Sequence, residues 1–229
     1  MSDDLSLREL MQRVKSQFSY SELCKLTAEQ ETHYNELLNN LKKVNSSSSN
    51  TKEKGDALED LVCYLLQISG GIFKIIKNVG TSSNEIDQVI MLNEKGRALL
   101  ANGLVSSRLR NFLGECKNYN KRVNVTYVGK FYSLLQTTSI TTGILFSYHG
   151  ITGTKWSNAS GLVKKIYLQR ECESNRVAII NFDITDFISI SKGENFLQII
   201  DDKLRALQLD TTVDAFISAH PAEKLLSHR

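Results

Sequence analysis

"NFLGECKNYNKR", residues 111–122, is the stretch on which the reading of this chain turns. Its first half is an apolar, strand-like run. A glutamate and a lysine two residues apart close that run, and a polar, basic loop follows. On a β-strand, residues i and i+2 point to the same face. Glu115 and Lys117 therefore stand side by side, on the face of Leu113. Such a pair is either an ordinary surface ion pair, worth little, or a carboxylate and an amine held together over a phosphodiester. The tripeptide alone does not decide, because Glu-x-Lys arises often by chance.

Working outward, the next strand-like run upstream is "IDQVIML", residues 86–92, behind the loop "GTSSNE". Asp87, Val89 and Met91 are expected on one face, with Ile86, Gln88, Ile90 and Leu92 on the other. An antiparallel pairing of the two strands brings the start of one against the end of the other, so Asp87 meets Glu115. A helix precedes them in "EKGDALEDLVCYLLQIS". Leu58, Leu61, Val62, Leu65 and Leu66 form its buried stripe, and Gly70-Gly71 ends it. Glu59 on this helix can lean over the same spot.

Three carboxylates and one amine at a sheet edge make a hard-oxygen donor set suited to Mg2+, with Mn2+ as a substitute. A metal there polarises a phosphate and helps generate hydroxide. Lys117 would orient or activate the attacking water, or neutralise charge on the phosphorane-like transition state. Each residue also has a plainer reading. Asp87 serves as a turn residue, Glu59 as a solvated helix residue, and Glu115 with Lys117 as a surface pair. Glu85 shares parity with Asp87 and is its substitute or a bystander. Taken together, in this order and on these elements, they favour the site.

The remaining segments fill in an α/β fold. "IFKIIKNV" reads as a first strand, and residues 93–110 as an elaborated hairpin connection. "VNVTYVGKFYSLLQ" is helical, with Val128, Phe131, Leu134 and Leu135 on one face. "TGILFS" is nearly all apolar and suits a central strand. "KWSNASGLVKKIYLQREC" is helical despite Gly161, "RVAIINF" is a fifth strand, and residues 194–209 form a last helix carrying Phe196, Leu197, Ile200, Leu204 and Leu207. The order implies a mixed sheet flanked by helices. The first three strands form an antiparallel meander, and a crossover helix leads to the fourth.

Ahead of this lies a helical appendage. Leu7, Leu10, Met11, Val14 and Phe18 make one apolar stripe, and Tyr34, Leu37, Leu38, Leu41 and Val44 a second behind the capping box "TAEQ", residues 27–30. "NSSSSN", residues 45–50, reads as a flexible linker. The expected organisation is an appendage over 1–50, a main domain over 51–209 and a tail over 210–229.

With 229 residues and 41% hydrophobic content, the chain can bury a proper core. A net charge of +3 permits a nucleic-acid partner without demanding one. Cys24, Cys63, Cys116 and Cys172 lack metal-ligand spacing and fit a reducing compartment. There is no apolar signal core at the start and no apolar run long enough for a bilayer. The expectation is a cytoplasmic protein without a membrane span.

"KGDALEDLV", "NEIDQVIML", "GECKNYNKRV" and "TTGILFSYHGITG" resemble, in order, the blocks of Mrr-like restriction endonucleases of the PD-(D/E)xK nuclease superfamily. The resemblance spans residues 54–190 and rests on the succession of short motifs. It implies a restriction-endonuclease-like fold, Mg2+-dependent cleavage of DNA, and a role in anti-phage defence. By position, Asp87 and Glu115 match the metal-binding carboxylates, Lys117 the catalytic lysine, and Glu59 the helix glutamate that completes the metal shell. The proline usual before the aspartate is replaced by Ile86, and the interval from Asp87 to Glu115 is long. Residues 1–50 have no counterpart in the family.

Lys121 and Arg122 in the basic loop, Lys130 on the following helix and Lys155 past the fourth strand are the expected phosphate contacts. Gln136 is a further polar position on that helix, and Thr152 and Thr154 accompany Lys155. His149 is expected to be structural, and Trp156 to be a packing residue. The N-terminal helices are expected to form a homodimer or dock a partner protein. A dimer would present two sites to two strands. The rival expectation is a non-catalytic nucleic-acid-binding or assembly subunit that keeps a nuclease-like fold.

Overall fold

Among the described residues, helix begins with a single turn, Tyr20–Leu23 (α1), capped by Ser19. The computed structural model describes residues 18–80 and 85–209. The expected stripe of Leu7, Leu10, Met11 and Val14, residues 81–84 of the loop, and the tail 210–229 lie outside the described residues. Thr27 opens α2 (Ala28–Ser46) with a reciprocal capping box. Its hydroxyl accepts from Gln30 N, and the Gln30 side chain accepts from Thr27 N. Tyr34, Leu38 and Leu41, spaced at one helical turn, are buried, with Leu37 and Val44 packed beside them. Burying each such side chain is worth about 1.5–3 kcal/mol. The Tyr34 hydroxyl also donates to Phe187 O at 2.9 Å.

The serine run is not the flexible linker that its composition predicts. Asn45 and Ser46 complete α2, and the Ser47 hydroxyl donates back to Val44 O. Asn50 then caps α3 (Thr51–Ile68) through a second box with Glu53. Serine and asparagine satisfy helix ends as readily as they solvate a linker, and here they do the former.

Five strands follow: β1 (Phe73–Gly80), β2 (Glu85–Leu92), β3 (Asn111–Lys117), β4 (Thr142–Ser147) and β5 (Ala178–Phe182). They form one mixed sheet in the order β1-β2-β3-β4-β5. The first two pairings are antiparallel and the last two parallel, as the meander-then-crossover reading requires. The connection between β2 and β3 holds a helix, α4 (Glu94–Ala101), and a 3-10 turn at Ser107–Leu109. Two helices make the crossovers, α5 (Val125–Thr138) and α6 (Asn158–Leu168). After β5 come α7 (Ile184–Ser191), capped by Asp183, and α8 (Phe196–Gln208).

The sheet separates two apolar layers. Ile90, Phe112, Ile144, Phe146, Ile180 and Phe182 face α2, α3, α7 and α8. Leu113, Leu145 and Ile179 face α5 and α6. Every residue of β4 is buried, as its continuous apolar character predicts. Gly161 is what allows α6 to start where it does. A Cβ there would collide with Trp156 O. Among the described residues, no helix is long and apolar enough to cross a membrane.

Candidate active site

β2 and β3 part company at the candidate site. Their ladder pairs Met91 with Asn111, Ile90 with Phe112, Val89 with Leu113 and Gln88 with Gly114. It stops there. On the far side of β2, Asn78 of β1 adopts a left-handed φ of 51° opposite Asp87. Past Gln88 the Asp87 side chain takes over from the β2 main chain, and its Oδ2 accepts from Cys116 N at 3.1 Å. The divergence also breaks the strand alternation. Ile86, expected on the face of Ile90, packs instead with Leu113 and Val128.

Asp87 and Glu115 thus meet where antiparallel pairing is expected to bring them. Lys117 Nζ lies 2.7 Å from Glu115 Oε1 and 3.4 Å from Asp87 Oδ2. The three side chains are 16–27% exposed, so the charges are only partly solvated. The ion pair is asymmetric. Burial pushes the Glu115 carboxyl up, Lys117 pulls it back, Asp87 pushes it up again, and the outcome lies above the ordinary glutamate value. For Lys117, burial acts to lower the ammonium. The charge and hydrogen bond of Glu115, joined by Asp87, outweigh it and hold the group above the ordinary lysine value.

Glu59 is the fourth expected member. Its helix, α3, packs on the sheet face opposite Glu115, through Leu58, Leu61, Val62 and Leu65. Glu59 still feels the cluster. Burial and then the charge of Asp87 raise its carboxyl, while Lys77 lowers it. Among the described residues, however, no three His, Cys, Asp or Glu side chains are gathered as a metal-ligand group. Asp87 and Glu115 are the carboxylates that share Lys117, and Glu59 is coupled to them through the charge of Asp87. Two carboxylates still suit Mg2+, which takes one or two from protein and fills its remaining positions with waters and phosphate oxygens.

The expected basic residues fall into separate places. Lys130 lines a cavity of about 150 Å3 with Glu115, Lys117, Tyr127 and Leu134, so it stands beside the carboxylates. Lys121 lines a second hollow, of about 510 Å3, with Lys54, Asn118 and Tyr127. Arg122 and Lys155 line a third, with His149. Trp156, expected to be packing, is 47% exposed, with Lys164 Nζ 5.4 Å from its ring centroid.

Two features escaped the sequence reading. Tyr127 borders both the carboxylate cavity and the Lys121 hollow, and its ring lies 5.4 Å from that of Tyr119. It precedes Lys130 by three residues, one helical turn, and that spacing was the available signal. The loop after Lys117 is also fixed rather than free. Lys54, itself buried, donates to Asn120 Oδ1 at 2.7 Å, and Asn118 Nδ2 donates to Lys54 O at 2.7 Å. The start of α3 thereby holds the segment that follows the catalytic candidate.

Comparison of the chain with protein-family models, with curated proteins and with solved structures finds no match.

Proposed function

We propose that this chain is a metal-dependent DNA endonuclease of the Mrr-like PD-(D/E)xK type, cytoplasmic, of low sequence specificity, and serving in anti-phage defence. The observation that carries the reading is the cluster of Asp87, Glu115 and Lys117 at the parting of β2 and β3, with Lys117 Nζ within 3.4 Å of both carboxylates. Asp87 and Glu115 would hold Mg2+, or Mn2+ in its place, with Glu59 as the third expected carboxylate. When bound, the ion supplies Lewis-acid polarisation of the phosphate and a water of lowered pKa.

The chain's own groups set the rest. Lys117 is a cation at neutral pH, because its neighbours hold the ammonium above its ordinary value. It therefore donates hydrogen bonds and does not accept a proton. Its task is to stabilise the added negative charge on the phosphate oxygens as the attacking water adds. Glu115, whose carboxyl burial and Asp87 raise above its ordinary value, stands with Asp87 beside the position of the attacking water. Lys130 stands in the same cavity and would hold a phosphate oxygen of the strand. A homodimer, or a partner docked through the N-terminal helices, would allow both strands to be cut.

The test is cleavage of linear, circular, single-stranded and branched DNA, with Mg2+ and with a chelator, by the wild type and by Lys117→Ala. Metal-dependent cutting that Lys117→Ala abolishes is the expected result. The rival reading, a non-catalytic nucleic-acid-binding or assembly subunit, draws on one observation, that the amine and the carboxylates already satisfy one another. It takes first place if the wild type cuts none of these DNAs, or if Lys117→Ala cuts them equally well.

A further inference from the structure

A cavity of about 380 Å3 opens beyond the C-terminal ends of β4 and β5, between α6, α8 and the loop that follows β4. Four permanent cations line it: Arg122, Lys155, Lys164 and Lys203. One carboxylate, Asp183, faces them, and its oxygens are spent. Oδ2 accepts from Asn181 Nδ2 at 3.0 Å, and Oδ1 accepts from Thr185 N and from the Thr185 hydroxyl. Lys203 is balanced by Asp186 at 2.9 Å, and the positive balance of the cavity rests on Arg122 and Lys155. The walls are built rather than loose. Val123 N donates to Gly150 O and Thr152 N to Val123 O, both at 2.8 Å. Gly150, at a φ of 71°, sits so close that a Cβ would stand 2.9 Å from Asp183 Oδ2.

The cavity also has a defined place relative to the carboxylates. Glu115 pairs with Leu145, and Leu145 with Asn181, in one row across the sheet. Asn181 lies two residues after Ile179, which packs on the α5–α6 layer, so it shares the face of Glu115. Two strand spacings of about 4.8 Å put its backbone about 10 Å from that of Glu115. Ligands of open α/β sheets gather at this carboxyl edge.

We propose that this cavity is a second phosphate subsite, which grips the backbone of the bound strand at a phosphate close to the one at Glu115 and Lys117. The proposal rests on the nuclease reading for the position of the cut, but not for the binding itself. Arg122 and Lys155 are its ligands of the phosphate oxygens, with Lys164 behind them. His149 adds a donor at the rim.

The probe is a 5′-phosphorylated tetrathymidylate, titrated by calorimetry in EDTA against the full chain at several salt concentrations. The variants are Arg122→Ala with Lys155→Asn, Arg122→Lys with Lys155→Arg, and, as a control, Lys43→Ala, an exposed lysine of α2 that does not line the cavity. Asparagine is chosen because Lys155 has a φ of 54°, a conformation that Asn tolerates. Both side chains are exposed, so the fold is spared. The charge-removing pair should weaken binding at least tenfold and flatten the slope of log K against log salt by about 0.7 for each phosphate no longer neutralised. The charge-keeping pair should restore most of the affinity, and Lys43→Ala should leave it within twofold of wild type. Binding within twofold of wild type in the charge-removing pair overturns the subsite, even if DNA is cut normally. Loss of binding in that pair from a chain that cuts nothing sinks the nuclease reading and leaves the subsite standing.

Discussion

Replacing Lys117 with methionine keeps the volume of the side chain and removes its charge. Two attractions vanish with it. At an effective dielectric of about 20, unit charges 2.7 Å and 3.4 Å apart attract by about 6 and about 5 kcal/mol. The desolvation of the ammonium, several kcal/mol, is recovered at the same time. What remains is two carboxylates facing each other, one of them buried. Glu115 has an escape, which is to bind a proton. Holding a carboxyl of ordinary pKa 4.5 protonated at pH 7 costs about 3.4 kcal/mol, at 1.36 kcal/mol per unit, and this bounds the loss.

The pH dependence follows with a definite sign. An acid whose folded pKa lies above its unfolded one binds more protons when folded, so stability falls as pH rises through that window. Lys117→Met should therefore lose about 3 kcal/mol at pH 7 and little at pH 5. Its slope should be steeper than that of wild type, whose Glu115 is itself raised, by at most about 1.4 kcal/mol per pH unit. Glu115→Gln added to Lys117→Met should abolish the slope. Urea unfolding midpoints at pH 5, 6, 7 and 8, at unchanged m, measure all three chains. A Lys117→Met curve that runs parallel to wild type across this range would refute the electrostatic account of the site.

Asp87→Asn keeps an acceptor for Cys116 N while removing a charge that faces the phosphates. It should abolish cleavage and tighten DNA binding severalfold in EDTA, and an unchanged or weaker affinity in a filter-binding titration would count against the assignment. Leu41→Ala should cost about 2–5 kcal/mol and Tyr34→Phe about 1 kcal/mol in thermal or urea unfolding, because α2 shares the core with α3. Deleting the residues before Thr51 should accordingly lower stability as well as change solubility or oligomeric state, and an equally stable truncated chain of the same mass in solution would overturn this. Gly161→Ala should destabilise by about 1–3 kcal/mol, since its Cβ meets Trp156 O, whereas a neutral effect would mean that the loop before α6 yields freely.

The sheet was legible because period-2 alternation and apolar runs are local signals. All five strands lie where the pattern puts them, and Asp87, Glu115 and Lys117 followed from parity and an antiparallel pairing. What the pattern missed has particular causes. α4 buries only Gly96, so it carries no apolar stripe to detect, and its one mark is the Asn93 cap. α7 was hidden because Ile184, Phe187, Ile188 and Ile190 continue the apolar character of β5, although Asp183 and Asp186 form a capping box. Ile86 defied its parity because the ladder ends at Gln88, an event of tertiary structure. Glu59 was expected on the strength of its helix and of its position in the family resemblance. Which sheet face that helix covers depends on where the chain crosses, and no local pattern records it. The distribution of Lys121, Lys130 and Arg122 over three hollows has the same origin.

The electrostatics of the cluster bear on what kind of pair Glu115 and Lys117 form. In a pair kept for stability, both partners titrate in the favourable direction, the acid lowered and the base raised. Lys117 does so and Glu115 does not, because Asp87 and burial together outweigh the lysine. The fold thus holds a second carboxylate against the first at a net cost to Glu115. It also uses the Asp87 carboxylate to end a ladder that a main-chain amide and carbonyl would otherwise have continued. Methionine and glutamine of the same shapes would relieve that cost. Residues that break local energetic rules in this way gather at functional sites, where a charged ligand compensates what folding does not. A cation placed between Asp87 and Glu115, or a phosphate brought against Lys117 and Lys130, would supply that compensation, and the nuclease reading requires both at once.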